Sequence, residues 1–279
     1  MNYRITHALQ QDFAEHLRLE EKSPATIEKY TRDVRAFERY LHQGEINKQR
    51  VLDYKNGLLE QYTVTSANSM LAAINAFFRF CGWNELIIKQ FKVQKQVFQS
   101  EEKELTRQEY LRLVSTAERQ GKQRLSLILQ TICGTGIRVS ELEYITVAAV
   151  KSGEARVNCK GKTRRIFIVP ELKTKLLAYI KKQGISSGCV FITGSGRPIS
   201  RVNIWRSMKA LCKQAKVAMT KVFPHNLRHL FACMFYEMEK DIVMLADLLG
   251  HASINTTRIY TMTTGKKHKH KMRRLHLIM

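Results

Sequence analysis

The stretch of the chain that decides its fold spans residues 224–260 and reads PHNLRHLFACMFYEMEKDIVMLADLLGHASINTTRIY. Apolar residues recur here at helical spacing, and the polar side chains among them include His225, Arg228, His251 and Tyr260. His225 and Arg228 are three residues apart, so a helix places them on one face. A hydrophobic core does not require two imidazoles, a guanidinium and a phenol. The same groups match the donors and acceptors that bind a phosphate and move its protons.

Gly250 predicts where one helix of this stretch ends, because glycine commonly follows the last helical residue. A short new helix after Gly250 would present His251 and Tyr260 to the same space. Each polar residue taken alone is more often structural: a hydrogen-bonded histidine, a packed tyrosine, a solvated arginine. The set becomes specific only together with two segments further upstream.

The first upstream segment, residues 134–142, reads GTGIRVSEL. Its two glycines predict that a helix ends near Cys133 and that Arg138 enters the next one, with Glu141 one turn later. We therefore expect Glu141 to hold the Arg138 guanidinium in one orientation. The simpler interpretation is a glycine loop followed by a surface ion pair, which contributes little to stability.

The second upstream segment, residues 156–169, reads RVNCKGKTRRIFIV. Two β-prone runs flank a polar turn containing Gly161, a pattern that predicts a β-hairpin. Lys160 would then lie at its tip, within reach of a ligand. The simpler interpretation is a basic turn, which is common in a chain this cationic.

The charge of the chain is large and unevenly distributed. The formal net charge is +23, made of +3 in residues 1–97 and +20 in residues 98–279. This balance indicates a polyanionic partner. Residues 172–236 contain twelve Lys and Arg and no acidic residue. Hard cations need carboxylates, so this stretch disfavours a three-carboxylate metal site, and we predict neither a metal nor another cofactor.

Cysteine spacing and hydropathy indicate the compartment. The six cysteines are scattered without a Cys-x-x-Cys pair, as is typical of reduced thiols. No N-terminal apolar region resembles a signal peptide, and no apolar run is long enough to span a membrane. A cytoplasmic location without a membrane partner is therefore expected.

The N-terminal region predicts a separate helical domain. Ser23 and Pro24 form an N-cap and a first helical residue, and apolar residues then keep helical spacing through several segments. The periodicity is lost over residues 92–104, which we interpret as a linker. A capping box of Thr106 and Glu109 then restarts helical structure.

Taken together, these motifs resemble those of the tyrosine recombinase and phage integrase family. The resemblance rests on the motifs TGIRVSEL, KGK, HNLRH and LGH in this order, followed by a tyrosine nine residues after the histidine of LGH. It spans residues 106–260 and extends more weakly over the N-terminal region. It implies a mainly α fold with a small antiparallel β-sheet. The implied domains are a helical core-binding (SAM-like) domain at 1–91, the linker at 92–104, a mixed α/β catalytic domain at 105–262, and a basic tail at 263–279 that either frays or docks on a neighbouring protomer.

The family's activity is site-specific DNA recombination through a 3′-phosphotyrosyl intermediate, without metal or ATP. The catalytic residues implied by the resemblance are Arg138, Lys160, His225, Arg228, His251 and Tyr260. In these roles Arg138 and Arg228 clamp the phosphate and His251 donates a further hydrogen bond to it. Lys160 protonates the leaving oxygen, and His225 exchanges the proton of the nucleophile Tyr260.

The expected partners follow from the same resemblance. They are double-stranded DNA with inverted-repeat core sites and a homotetramer in the synaptic complex, with an accessory or partner recombinase as a further candidate. The location implied is the cytoplasm of a bacterial cell, on the nucleoid when bound. The basic residues expected to contact DNA are Lys29, Arg32, Arg35, Arg39, Lys162 and Arg164.

Two other functions stay open at this point. A type IB-like topoisomerase uses similar groups but relaxes one duplex as a monomer. A non-catalytic DNA-binding protein would keep only a relict site, although all six catalytic positions are filled. The chain starts almost directly at the core-binding region, which favours a Xer-like, Cre-like or mobile-element recombinase over a lambda-type integrase with an arm-binding domain. The target sequence is not readable from residue spacing.

Overall fold

Two units make up the chain, Met1–Lys95 and Gln96–Met279. The computed structural model describes residues 3–42, 44–93, 103–159, 162–251 and 253–260, with the backbone alone for Cys159 and Lys162. Lys160 and the predicted tail at 263–279 lie outside the described residues. The division between the units falls within the predicted linker at 92–104, and the other predicted boundaries stay predictions.

The described part of the first unit is helical. Its helices are α1 His7–Leu19, α2 Pro24–Leu41, α3 Lys48–Gln61, α4 Val64–Phe80 and a 3-10 helix Asn84–Leu86. Each α-helix begins after a polar N-cap whose side chain accepts a backbone N–H; the caps are Thr6, Ser23, Asn47 and Thr63. The core contains Phe37, Phe77 and Phe78, all fully buried. Each such side chain contributes about 1.5–3 kcal/mol on burial, which holds the helices together.

The second unit combines helices with one β-hairpin among its described residues. Its elements are α5 Arg107–Arg119, α6 Gln123–Thr135, a 3-10 helix Val139–Tyr144, α7 Val147–Ser152, β1 Glu154–Cys159, β2 Lys162–Phe167, α8 Pro170–Gln183, α9 Arg201–Ala215, a 3-10 helix Met219–Lys221, α10 Pro224–Glu239, α11 Ile242–Leu249, α12 Ile254–Thr257 and a 3-10 helix Arg258–Tyr260. The predicted mainly α fold with a small antiparallel sheet is confirmed.

Helix α6 lies at the centre of the second unit, where it packs against α5, α8 and α10. Leu129 and Ile132 on this helix are fully buried. The helix continues to Thr135, two residues beyond the predicted end near Cys133, and stops at Gly136 with φ 64°. A Cβ on Gly136 would lie 2.5 Å from the ring of Phe231, so both the backbone conformation and the packing require glycine there.

The predicted hairpin is present. Strands β1 and β2 pair antiparallel, with Ala155 opposite Ile166 and Val157 opposite Arg164. Residues that face each other across an antiparallel pair share one side of the sheet. Ala155, Val157 and Ile166 are buried, so this side faces the core, and Arg164 lies on it as well.

Candidate active site

Helix α10 positions the first group of polar residues. Pro224 occupies its first position, where the missing N–H costs no hydrogen bond. His225 is exposed, whereas Arg228 and His229 are buried on the core side of the helix. The helix therefore carries a guanidinium into the interior and leaves an imidazole at the surface one turn earlier.

Helices α11 and α12 position the second group. Asp241 caps α11 by accepting the backbone N–H groups of Val243 and Met244. The helix ends at Gly250 with φ 64°, as predicted, and the next residue is His251. The chain then turns through α12 into the 3-10 helix that ends with Tyr260, which is only 4% exposed.

Arg228 joins these segments through one network. Its Nη1 donates to the carbonyl of Gly136 at 2.6 Å, and its Nη2 donates to the carbonyl of Leu249 at 2.8 Å. The same Nη2 lies 3.1 Å from His251 Nε2. Arg228 also interacts with the Tyr260 hydroxyl through its charge and through hydrogen bonding. A buried guanidinium with this many partners holds the nucleophile candidate and an imidazole in one place.

The hydrogen bonds of His251 define its tautomer. An arginine only donates, so Nε2 facing Arg228 is the acceptor, and Nδ1 carries the proton that it donates to Thr257 Oγ1 at 2.8 Å. Burial and the neighbouring charge of Arg228 lower the pKa of His251 to about 4, so the ring is neutral at pH 7. The ring stacks on Tyr260 at 15° with 6.1 Å between centroids.

Glu141 holds Arg138, as the sequence predicted. Arg138 Nη1 lies 2.7 Å from Glu141 Oε1, and the backbone N–H of Arg138 donates to Oε2 at 2.9 Å. Burial alone would raise the pKa of Glu141, but the hydrogen bonds from Arg138 and the charge of Arg164 outweigh it and keep that pKa below its usual value. The carboxylate therefore stays charged. Among the described residues, the Arg138 side chain makes no other hydrogen bond, and it is 38% exposed.

Proton affinities in the site favour a neutral phenol and a neutral imidazole. Burial raises the pKa of Tyr260, although Arg228 and Arg138 oppose the rise. Burial of part of the ring and the charges of Arg228 and Arg138 lower the pKa of His225. A neutral histidine has a free acceptor nitrogen, so His225 is available as a proton acceptor at pH 7.

The structure brings together five of the six predicted catalytic residues: Arg138, His225, Arg228, His251 and Tyr260. The sixth, Lys160, lies outside the described residues, and in sequence it falls between the paired positions Cys159 and Lys162. The catalytic roles of all six stay predictions.

Two residues that the sequence reasoning did not assign also line the site. His229 packs edge-on against Tyr260, with 5.1 Å between ring centroids, and burial lowers its pKa to about 4. Thr257 is fully buried and fixes His251. His229 stands four residues after His225 in the same helix, and this spacing, which brings two helical side chains close together, is the signal that could have identified it.

The predicted DNA contacts occupy different environments. In α2, Lys29 Nζ lies 2.5 Å from Asp33 Oδ2 and Arg32 Nη2 lies 3.4 Å from Asp33 Oδ1, while Arg35 and Arg39 are exposed. Only the backbone of Lys162 is described. The four α2 residues and Lys162 stay predicted DNA contacts.

The described ranges contain neither a candidate metal site nor a membrane-spanning helix. No three His, Cys, Asp or Glu side chains come together there in a way that would hold a metal ion. No helix in these ranges is long and apolar enough to cross a membrane.

Comparison with known protein families covers both units. Residues 103–267 match the phage integrase family, and residues 11–85 match the phage integrase N-terminal SAM-like domain. The first match alone includes more than half of the chain and all of the residues placed in the site.

Curated relatives align over nearly the whole chain. Tyrosine recombinase XerA of Pyrococcus furiosus is 32% identical over 279 residues, which cover 96% of this chain and 94% of that protein. XerA of Thermococcus kodakarensis is 34% identical over 267 residues, covering 91% of this chain and 90% of that protein. XerD of Halalkalibacterium halodurans is 31% identical over 265 residues, covering 86% and 87%.

Solved structures share the fold at lower identity. A lambda integrase(75-356) dimer bound to a COC′ core site has a TM-score of 0.75 at 18% identity, covering 92% of this chain and 95% of that one. XerH bound to its difH substrate has a TM-score of 0.71 at 17% identity, covering 92% and 82%. The prediction from the motifs is confirmed: the chain belongs to the phage integrase family of tyrosine recombinases, the enzymes of site-specific DNA recombination.

Proposed function

We propose that this protein cleaves and rejoins DNA at specific sites with Tyr260 as the nucleophile, for the integration, excision or resolution of a mobile element or replicon. One observation carries the proposal: Arg228 lies 3.1 Å from His251, and the ring of His251 stacks on that of Tyr260. The charge of Arg138 also acts on all three of these residues. Two guanidiniums at one phenol supply the positive field that a phosphodiester requires.

Arg138 and Arg228 form the phosphate clamp in this proposal. Arg138 has donors that Glu141 does not use, and it is the more exposed of the two arginines. An entering phosphate binds Arg138 and the side of Arg228 whose charge now acts on Tyr260. Guanidinium forks match the nonbridging oxygens, on which charge grows as the new bond forms.

Proton transfer accompanies the exchange of bonds. The Tyr260 oxygen attacks phosphorus and passes its proton to neutral His225. The bond from phosphorus to the 5′ oxygen breaks, and Lys160 protonates the leaving oxygen. The products are a 3′-phosphotyrosyl bond and a 5′-hydroxyl. Attack by a 5′-hydroxyl on the phosphotyrosyl bond reverses every step, so rejoining consumes no ATP.

His251 changes its role when a phosphate arrives. Its Nε2 now accepts from Arg228, and a ring nitrogen without a proton has nothing to donate to a phosphate oxygen. The negative charge of a bound phosphate favours protonation of Nε2, which turns it into a donor. Thr257 keeps the ring in place throughout, because it binds the other nitrogen.

The assembly proposed is a homotetramer on two duplexes with inverted-repeat core sites, acting on the nucleoid of a bacterial cell with or without an accessory or partner recombinase. A related lambda integrase forms a tetramer bound to a Holliday junction. The likeness of fold to that protein (TM-score 0.75 at 19% identity) supports the same arrangement here.

Covalent trapping tests the chemistry. A nicked target duplex lets the cleaved fragment diffuse away, so that rejoining fails and the phosphotyrosyl protein accumulates. We expect an SDS-stable adduct from the wild type and from Tyr236→Phe, and none from Tyr260→Phe. An adduct that survives Tyr260→Phe places the nucleophile elsewhere and refutes the proposal.

A second assay separates recombination from topoisomerase activity. The purified protein is given two duplexes that carry its core site and, in parallel, a supercoiled plasmid that lacks the site. Exchange of strands between the two duplexes is the expected result. Relaxation of the plasmid without exchange would instead support a type IB-like topoisomerase.

A further inference from the structure

Arg164 lies on the buried side of the β-hairpin, opposite Val157 and on the same face as Ile166. Its side chain is only 11% exposed, whereas the outward-facing Arg156 on β1 is 76% exposed. Contacts to the DNA backbone away from the reacting phosphate come from side chains that reach the protein surface. The inward position of Arg164 therefore argues against the DNA contact predicted from the sequence.

The guanidinium of Arg164 is engaged by the protein itself. Its Nη2 lies 2.5 Å from Glu141 Oε2, and its Nη1 donates to the carbonyl of Leu248 at 2.9 Å. The side chain passes so close to Gly250 that a Cβ there would lie 2.4 Å from Arg164 Cδ. Nε is buried and has no hydrogen-bond partner among the described residues. The side chain therefore occupies this position at the free-energy cost of one unsatisfied donor.

Both partners of Arg164 belong to segments that carry catalytic candidates. Glu141 uses its other oxygen to hold Arg138 at 2.7 Å. Leu248 stands three residues before His251, at the end of α11. Arg164 itself extends from β2, the strand that follows Lys160. A single guanidinium thus joins the three segments on which Arg138, His251 and Lys160 depend.

We propose that Arg164 is a positioning residue for strand cleavage: it holds the hairpin, the Arg138–Glu141 pair and the His251 turn in register, and it does not bind DNA. The inference rests on the proposed function, because it concerns the same phosphate site. The inference predicts that loss of the Arg164 guanidinium slows strand cleavage and leaves the affinity for DNA unchanged.

The test compares Arg164→Met and Arg164→Lys with Arg156→Met, a matched control on the outer face of the same hairpin. The rate of adduct formation is measured in a single turnover at saturating nicked duplex. Duplex affinity is measured over a range of salt concentrations. Thermal unfolding and circular dichroism report on the fold of each variant.

We expect Arg164→Met to form the adduct about 10–100-fold more slowly, the range for loss of groups that orient a catalytic ligand. Arg164→Lys keeps the charge beside Glu141 but loses the second contact, so its rate should lie between those of the wild type and Arg164→Met. Affinity should stay within about twofold, and the salt dependence of affinity should not change. Arg156→Met should keep the wild-type adduct rate.

The salt dependence distinguishes a positioning role from a DNA contact. Loss of one phosphate contact reduces the slope of log K against log salt by about 0.9. A reduced slope in Arg164→Met, which removes the charge, would therefore overturn the inference, and so would an unchanged adduct rate in both Arg164 variants. If the wild type forms no adduct, the proposed function fails instead, and that outcome is visible before any variant is compared.

A double substitution tests whether Arg164 acts through Glu141. If Arg164 acts through Glu141, Arg164→Met combined with Glu141→Gln should be no slower than the slower single variant. Rate losses that multiply would mean that the two residues act independently, which would contradict the inference.

Discussion

Arg138 and Arg228 serve one proposed phosphate from different environments. Arg228 is 3% exposed and donates to two carbonyl groups, whereas Arg138 is partly exposed and uses one edge for Glu141. Substitution of the two residues should therefore have different consequences for stability.

Arg228→Lys should reduce both activity and stability. A lysine has a single ammonium in place of the planar fork, so it cannot serve the carbonyls of Gly136 and Leu249 together with His251. We expect the adduct rate to fall by about 10²–10³. Denaturant unfolding should show a loss of about 1–3 kcal/mol from the unpaired buried groups. Wild-type stability in this variant would contradict the structural role given to the network.

Arg138→Lys should reduce activity with little effect on stability. The ammonium can still pair with Glu141, and the partial exposure of the side chain limits the cost to the fold. The adduct rate should again fall by about 10²–10³, because the second donor to the phosphate is lost. The same unfolding and trapping measurements apply, and a normal adduct rate would remove Arg138 from the clamp.

At this scale the sequence indicated the residues that the structure brings together better than the residues that support them. Arg138, Arg228, His251 and Tyr260 were identified by their chemistry and order. The charge of Arg164 predicts a DNA contact, whereas its burial and partners lead us to propose a positioning role. The alternation of the strand held the missing signal: Ile166 and Ile168 mark the buried face, and Arg164 continues the same period of two. Nothing local predicted that this arginine would meet Glu141.

At the scale of elements, glycine conformation sets the position of His251. Gly250 has φ 64° at the end of α11, and Arg164 occupies the space that a side chain would need. Gly184 ends α8 with the same φ but has no atom within 4 Å of a built Cβ. Comparison of Gly250 with Gly184 therefore separates the free-energy cost of positive φ from the cost of displacing Arg164.

Gly184→Ala should lose about 1–2 kcal/mol, the cost of a left-handed conformation for a residue with a Cβ, and should keep its adduct rate. Gly250→Ala should lose more stability and also slow adduct formation, because Arg164 must move. Denaturant unfolding and the trapping assay measure both effects. Equal losses of stability and equal adduct rates in Gly184→Ala and Gly250→Ala would contradict the close approach of Arg164 to Gly250.

The ends of elements were predictable wherever a local chemical signal exists. Thr106 and Glu109 form the predicted capping box, and Gly250 ends α11 as expected. The end of α6 was misplaced by two residues because two glycines, Gly134 and Gly136, competed for the same role. Only Gly136 has positive φ, and the Phe231 ring that leaves no room for a side chain there is distant in the chain.

For the whole molecule, buried histidines make stability depend on pH. Burial lowers the pKa of both His229 and His251 to about 4, against about 6.5 in an unfolded chain. Between these values the unfolded state binds more protons than the folded state. Their contribution to stability is therefore complete above about pH 6.5 and is lost as the pH falls towards 4.

Urea unfolding should accordingly give a lower free energy at pH 5 than at pH 7.5. His229→Asn removes one of the two titrating groups and should make the difference smaller. Equal stability at both pH values, or greater stability at pH 5, would contradict the neutral, buried state of these rings.

Mapping the covalent adduct tests the central claim most directly. Trapped complex is digested with trypsin, and mass spectrometry identifies the peptide that carries the oligonucleotide. Cleavage after Arg258 and Lys266 yields residues 259–266, and we predict that the phosphate is attached to Tyr260 in this peptide. Attachment to any other residue would contradict the convergence of Arg138, Arg228 and His251 on Tyr260 as the reacting centre.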